Sequence, residues 1–148
     1  MVKITVYQNH DQQFVGFDCL GHAEYSDEND IVCAAVSAMT INCINSIETF
    51  TETLFYCDTN ETDGMISFRI TEKNGTDAQL LLKSLILGFE NMESNYEEYI
   101  DFQKMFLPIL FINALSGVDI HYSQCLCRLN YQIATGFHPD FWLQRFFG

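Results

Sequence analysis

The apolar positions of the first hundred residues repeat with two periods. Val2, Ile4 and Val6 alternate with Lys3, Thr5 and Tyr7, the period of a strand with one buried face. Gln8-Asn9-His10-Asp11 is polar and turn-like. Phe14 to Leu20 reads as a second strand, so the two are expected to form a hairpin. Gly21 ends it, and a polar loop runs from Glu24 to Asp30. From Ile31 to Ile47 there is no charged residue, which predicts a central buried helix with no polar face. Asn29 or Asp30 can cap it by accepting from the unpaired amides of the first turn. With Asp30 as the cap, Cys33 is the third helical residue. Glu48 and the threonines Thr49, Thr51 and Thr53 mark the return to solvent.

Leu54 to Cys57 is predicted as a strand and Asp58 to Gly64 as a turn. Ile66, Phe68 and Ile70 then alternate with Met65, Ser67, Arg69 and Thr71, a strand with one apolar face. Asn74-Gly75 breaks the chain. Thr76-Asp77-Ala78-Gln79 reads as a capping box opening a second helix over roughly 77–95. The predicted order is β-β-α-β-β-α. It implies an α+β, sandwich-like fold, with a mainly antiparallel sheet packed on two helices. No sequence repeat accompanies the doubled β-β-α pattern.

The chain after residue 100 is of a different character. About half of the aromatics fall there, among them Phe102, Phe106, Phe111, Phe137, Phe141 and Trp142. Phe106 to Ile112 is apolar without amphipathic period, and Pro108 interrupts any helix there. Residues 1–100 are therefore read as one domain and 101–148 as an aromatic C-terminal extension. Three readings of the extension stand side by side: extra packed helices, a partner or dimer surface, or foreign sequence from a cloning or reading-frame event.

Composition narrows the function classes. The net charge of −13 lies wholly in residues 1–100, with 17 Asp/Glu against 4 Lys/Arg, while residues 101–148 hold 3 of each. An acidic body argues against direct nucleic-acid binding, because phosphate contacts need Lys and Arg. It suits a basic protein partner, and equally a soluble acidic surface. No signal peptide is visible and no apolar run reaches the ~18–20 residues of a membrane span, so the expectation is a cytoplasmic protein without a membrane partner. The six cysteines are then expected as reduced thiols rather than disulfides.

The candidate chemistry lies in Gly21-His22-Ala23 and, eleven residues after the histidine, Cys33 within Asp30-Ile31-Val32-Cys33-Ala34-Ala35-Val36-Ser37. Taken alone, Cys33 is a packed core cysteine and His22 a turn residue. Position argues otherwise. A helix N-terminus stabilises an anion, and a thiolate there can have a pKa well below the free value of ~8.5. A histidine one loop away can take the thiol proton and return it to a leaving amine. The helix amides can hold an oxyanion. Ser37 lies one turn after Cys33 on the same face, able to line the site or to bond a backbone carbonyl. Asp30 is a helix cap first and a possible orienter of His22 second.

A zinc site is the competing constellation: Cys19, His22, Cys33 and Cys43 superficially supply four ligands. Cys33 and Cys43 are ten residues apart on one helix, ~15 Å along its axis, too far to share an ion. Cys125 and Cys127 are too closely spaced for a zinc knuckle. No metal or other cofactor is expected.

These two motifs resemble the ribosomal-processing cysteine protease family of bacteria, known as Prp. The resemblance covers about residues 1–100. It implies an endopeptidase that removes an N-terminal extension from a large-subunit ribosomal protein, number twenty-seven in the usual naming. Cys33 would be the nucleophile and His22 the general base, with Gly21, Asp30 and Ser37 supporting the site. The resemblance also implies a homodimer and a mobile loop over about 23–30 that substrate orders. Family members stop near Tyr99-Ile100-Asp101, so the extension has no counterpart. The rival reading is a non-catalytic ribosome-associated binding or assembly module with Cys33 in its core.

Overall fold

The computed structural model describes residues 1–26, 30–60, 62–71 and 75–107. The tail features singled out above from Pro108 onward, Cys125 and Cys127 included, lie outside these residues, as do 27–29 of the loop.

The elements run β1 (Val2–Gln8), β2 (Phe14–Leu20), α1 (Ile31–Phe50), β3 (Phe55–Asn60), β4 (Met65–Ile70), α2 (Thr76–Asn95) and β5 (Ile100–Phe106). The first six follow the predicted order. They build a five-stranded sheet ordered β3-β4-β2-β1-β5. β1 and β2 form the expected antiparallel hairpin, with Ile4 opposite Cys19 and Val6 opposite Phe17. β4 pairs antiparallel with β2, and β3 with β4.

Two boundaries differ from the sequence reading. β3 continues through Asp58, Thr59 and Asn60, which were expected as turn, because the edge position lets polar side chains stay in solvent while the backbone pairs with β4. The second difference is a strand that the alternation did not announce. β5 lies parallel to β1, with Val2 opposite Ile100 and Gln8 opposite Phe106. The sheet therefore uses residues beyond position 100. The tight turn Tyr96–Ile100, in which Tyr99 N–H and Ile100 N–H both donate to the Tyr96 carbonyl, swings the chain from α2 onto the sheet edge.

One face of the sheet is covered by both helices. Val2, Ile4 and Val6 of β1 and Phe17, Phe68 and Ile70 meet Val32, Ile44 and Ile47 of α1 and Leu82, Ile86 and Phe89 of α2. Phe17 stacks on Phe68 with ring centroids 5.2 Å apart, a favourable offset geometry. The prediction of α1 as a central helix is corrected. It buries Val32, Val36, Thr40, Cys43, Ile44 and Ile47, while Ile31, Ala34, Ser37, Ala38 and Asn42 face outward. The helix has two faces that differ in exposure but not in charge, and the absence of charge hid the outward one. By length and composition α1 is also apolar enough to cross a membrane, contrary to the expectation of no such run, but its apolar stripe packs into this core.

α2 corrects the capping-box reading. Its cap is Gly75, with no side-chain bond. Gln79 instead reaches across to β2, where its Oε1 accepts from Phe14 N–H at 2.9 Å and its Nε2 donates to Phe14 O at 2.6 Å. Gln79 is itself buried, so these bonds satisfy polar groups that would otherwise be costly inside the core.

Candidate active site

The end of β2 and the start of α1 come together as the sequence anticipated. Gly21 adopts φ +91°, a conformation that favours glycine, and turns the chain off the sheet. His22 follows, and its carbonyl accepts from the Met1 amino nitrogen at 2.7 Å. Ala23 is buried at 2 % exposure, so a larger side chain has no room there. Glu24 then takes a left-handed φ of +57°. This sharp path aims the Ala23 amide at the helix, and Ala23 N–H donates to Cys33 Sγ at 3.1 Å.

Asp30 is the cap of α1. Its Oδ1 accepts from Cys33 N–H at 2.8 Å, which fixes Cys33 as the third residue of the helix. Its Oδ2 accepts from Tyr25 N–H at 3.2 Å. One carboxylate thus ties the strand side of the loop to the helix side. The Tyr25 ring adds a second tie. It packs edge-on against Tyr96 at 5.9 Å and Tyr99 at 5.0 Å, beyond the end of α2.

The electrostatics differ from the first expectation. Burial pushes the Cys33 thiol up from its ordinary value. The Ala23 amide pulls it down, while the Asp30 carboxylate pushes it up again. The helix start alone suggests an acidic thiol; the capping carboxylate that builds this helix start opposes it. Among the described residues no hydrogen bond joins the His22 ring to Cys33 Sγ. Burial and the Asp30 carboxylate thus favour the thiol form of Cys33, against the Ala23 amide.

The other thiols of the core are of a different kind. Cys19 faces Thr40, with Sγ 3.9 Å from Oγ1, and Cys43 donates to Leu81 O at 3.6 Å. Burial raises both to about 12. They point into packed core, each toward a different partner, and Cys33 toward a third. Ser37 lies one turn beyond Cys33 on α1 and is exposed.

Two contributors were missed by the sequence reading. The Ala23 amide is main chain and leaves no residue signature beyond the small size of Ala23. The turn between β3 and β4 also reaches the site: Gly21 N–H donates to Asp63 O at 3.2 Å. An Asp-Gly pair marks a turn, but its docking against β2 is a tertiary fact.

Residues 1–101 match the family described as cysteine protease Prp. The ribosomal processing cysteine protease Prp of Bacillus subtilis is 27 % identical over 103 residues, covering 66 % of this chain and 92 % of the relative. Its counterpart from Staphylococcus aureus is 26 % identical over 101 residues, covering 68 % and 95 %. The crystal structure of SMU.848 from Streptococcus mutans has a TM-score of 0.65 at 28 % identity, covering 72 % of this chain and 99 % of that one. The fold is also shared with the S. aureus Prp protease in complex with a covalently linked product peptide, at a TM-score of 0.68 and 24 % identity, covering 71 % and 100 %.

Proposed function

The chain belongs to the Prp family of cysteine proteases, and we propose that it is the endopeptidase that trims the N-terminal extension of a large-subunit ribosomal protein, number twenty-seven. The observation that carries this reading is the placement of Cys33. Its sulfur sits in the first turn of α1, accepts from the amide next to His22, and is half-buried rather than sealed in the core.

In the proposed reaction His22 takes the proton from Cys33 Sγ and the thiolate attacks the scissile carbonyl carbon. Main-chain amides around Sγ hold the oxyanion, and the Ala23 N–H is already 3.1 Å from the sulfur. The Cys33 amide is engaged by Asp30, so it serves the helix rather than the oxyanion. The tetrahedral adduct collapses to a thioester as the protonated His22 gives its proton to the leaving amine. Water, deprotonated by His22, then attacks the thioester, and the thiol is regenerated with release of the acid. Gly21 and Asp30 support the pair by shaping the turn and the helix start. Ser37, one turn along α1, is assigned to substrate contact. No cofactor takes part in this scheme.

In this reading substrate orders the loop over about 23–30 and so brings His22 to Cys33. A basic ribosomal protein suits the acidic body. The remaining assignments are a cytoplasmic homodimer that binds neither nucleic acid nor membrane. The outward face of α1, uncharged and with Ile31 exposed, supports a second copy as its cover.

The test is a peptide spanning the extension junction. The full chain is expected to cleave it, Cys33→Ala to leave it intact with an unchanged fold, and Cys33 to react with iodoacetamide faster than Cys19 or Cys43. A thiol as slow as those two, with no cleavage at high enzyme concentration, would leave the non-catalytic binding module as the better reading.

A further inference from the structure

The turn that closes the β3–β4 hairpin reaches the histidine. β3 and β4 end with Asn60 opposite Met65. The Asn60 side chain shapes what lies between. Its Oδ1 accepts from Thr62 N–H at 3.0 Å and Asp63 N–H at 3.3 Å, and its Nδ2 donates to Asp63 Oδ2 at 2.7 Å. The Asn60 side chain thereby braces Thr62 and Asp63, and the Gly21–Asp63 bond docks them on the chain just before His22. Gly64 follows, with φ +58°. A Cβ placed on Gly64 would lie 3.0 Å from His22 Cε1 and 2.9 Å from Gly21 O. The imidazole therefore rests against bare main chain at Gly64.

We propose that Gly64 is a positioning residue for the reaction: it is the surface on which the His22 ring is set, and the Asn60-braced turn fixes where that surface stands. The proposal rests on the reading of His22 as the general base. Two requirements meet at this glycine, and they are separable. A positive φ is tolerated by asparagine. The absence of a Cβ is not met by any other residue. Gly21 O is main chain and has little freedom to give way, so an added Cβ pushes the ring. A displacement on the order of 1 Å at a reacting group can cost about 10²-fold in rate.

The experiment compares Gly64→Ala, Gly64→Asn and His22→Ala in the full chain with the junction peptide, and adds a readout that needs no substrate. In the wild type, NMR is expected to show a cross-peak between Gly64 Hα and the His22 Cε1–H. Its absence overturns the contact and the proposal with it. Both Gly64 variants are expected to lose about 10- to 100-fold in kcat with KM within about two-fold. A role in turn geometry alone predicts that Gly64→Asn restores kcat, because asparagine accepts the backbone conformation; that result overturns the proposal. Where Gly64→Ala does not fold, Asn60→Ala loosens the turn without adding a clash, and a kcat left intact there overturns it too. Cleavage that survives in His22→Ala overturns the base assignment and this proposal together. An inactive His22→Ala beside fully active Gly64 variants overturns this proposal alone.

Discussion

Asp18 and His22 are four residues apart on one stretch of chain, yet their surroundings are opposite in kind. Asp18 sits in a closed network. Its Oδ1 accepts from Arg69 Nη1 at 2.8 Å, and its Oδ2 accepts from Arg69 Nη2 and from the Tyr7 hydroxyl, each at 2.7 Å. Arg69 also donates to Phe17 O at 2.9 Å and Phe68 O at 2.8 Å, and its guanidinium lies 4.2 Å from the centre of the Tyr7 ring. The bidentate pair joins β2 to β4 across the sheet face opposite the helices and fixes their register. His22 and Cys33 are held with far fewer bonds. Among the described residues the thiol has the Ala23 amide as donor, the ring has Gly64 beside it, and no hydrogen bond joins the two. A saturated network spends its donors on the fold. On the proposed reading, the pair with fewer bonds among the described residues keeps its bonding capacity for a substrate.

The sharpest way to break this comparison is to cross the two regions over. Cys33→Ala is expected to lower cleavage by about 10⁴-fold or more, while the denaturant midpoint stays near that of the wild type. Arg69→Ala should do the reverse. It leaves a half-buried carboxylate that keeps the Tyr7 hydroxyl but, like two carbonyls, loses the guanidinium, which destabilises by about 2 kcal/mol, with kcat within about two-fold of the wild type. Urea unfolding and peptide cleavage on the same two proteins read both axes. A loss of activity without a loss of stability in Arg69→Ala would show that the Asp18 network belongs to the site.

Acid unfolding sharpens the same contrast with a smaller effect. Burial tends to raise the Asp18 carboxyl, but the bonds from Arg69, Tyr7 and Ser67 outweigh it and hold the group below its ordinary value of 3.8. A group with a lowered folded pKa adds stability that is fully present above the unfolded value and is lost as pH falls through the folded one. Unfolding free energy is therefore expected to drop below about pH 4 in the wild type more steeply than in Asp18→Asn. Parallel slopes in the two proteins would remove Asp18 from the acid-sensitive set.

How much of this was legible depends on the range of the interaction. Local rules carried far. Alternation located the hairpin and β4, and the cap rule offered Asn29 or Asp30 before the helix, of which Asp30 is the cap with Cys33 as the third helical residue. The readings that failed were long-range. Gln79 has the spacing of a capping box but bonds to Phe14, 65 residues away. β5 is found by its parallel pairing to β1, and nothing in Ile100 to Phe106 alternates cleanly enough to announce it. The charge-free helix was read as central because periodicity of charge, the usual marker of an outward face, is missing from it. At the site, residue types and position offered His22 and Cys33 as candidates. The Ala23 amide is a main-chain donor with no residue signature, and Gly64, visible as a turn glycine, is brought to the His22 ring only by the tertiary fold.

The smallest effect tests the most particular claim, that the cap of α1 restrains its own thiol. Cys33 is raised first by burial and then by the Asp30 carboxylate, against the Ala23 amide. Asn caps a helix about as well as Asp, so Asp30→Asn removes the charge and keeps an oxygen for the Cys33 amide. Removing a negative charge beside a thiol stabilises its thiolate, so the Cys33 pKa falls and more thiolate is present at pH 7. The iodoacetamide rate at pH 7 is expected to rise about two- to five-fold in Asp30→Asn. The rates should converge at high pH, where both thiols are fully ionised. Burial does not change in this variant, so a rise assigns the restraint to charge. An unchanged rate would leave desolvation as the whole cause. A fall would mean that the carboxylate aids ionisation, and Asp30 would then stand with the proposed pair, His22 and Cys33, rather than against it.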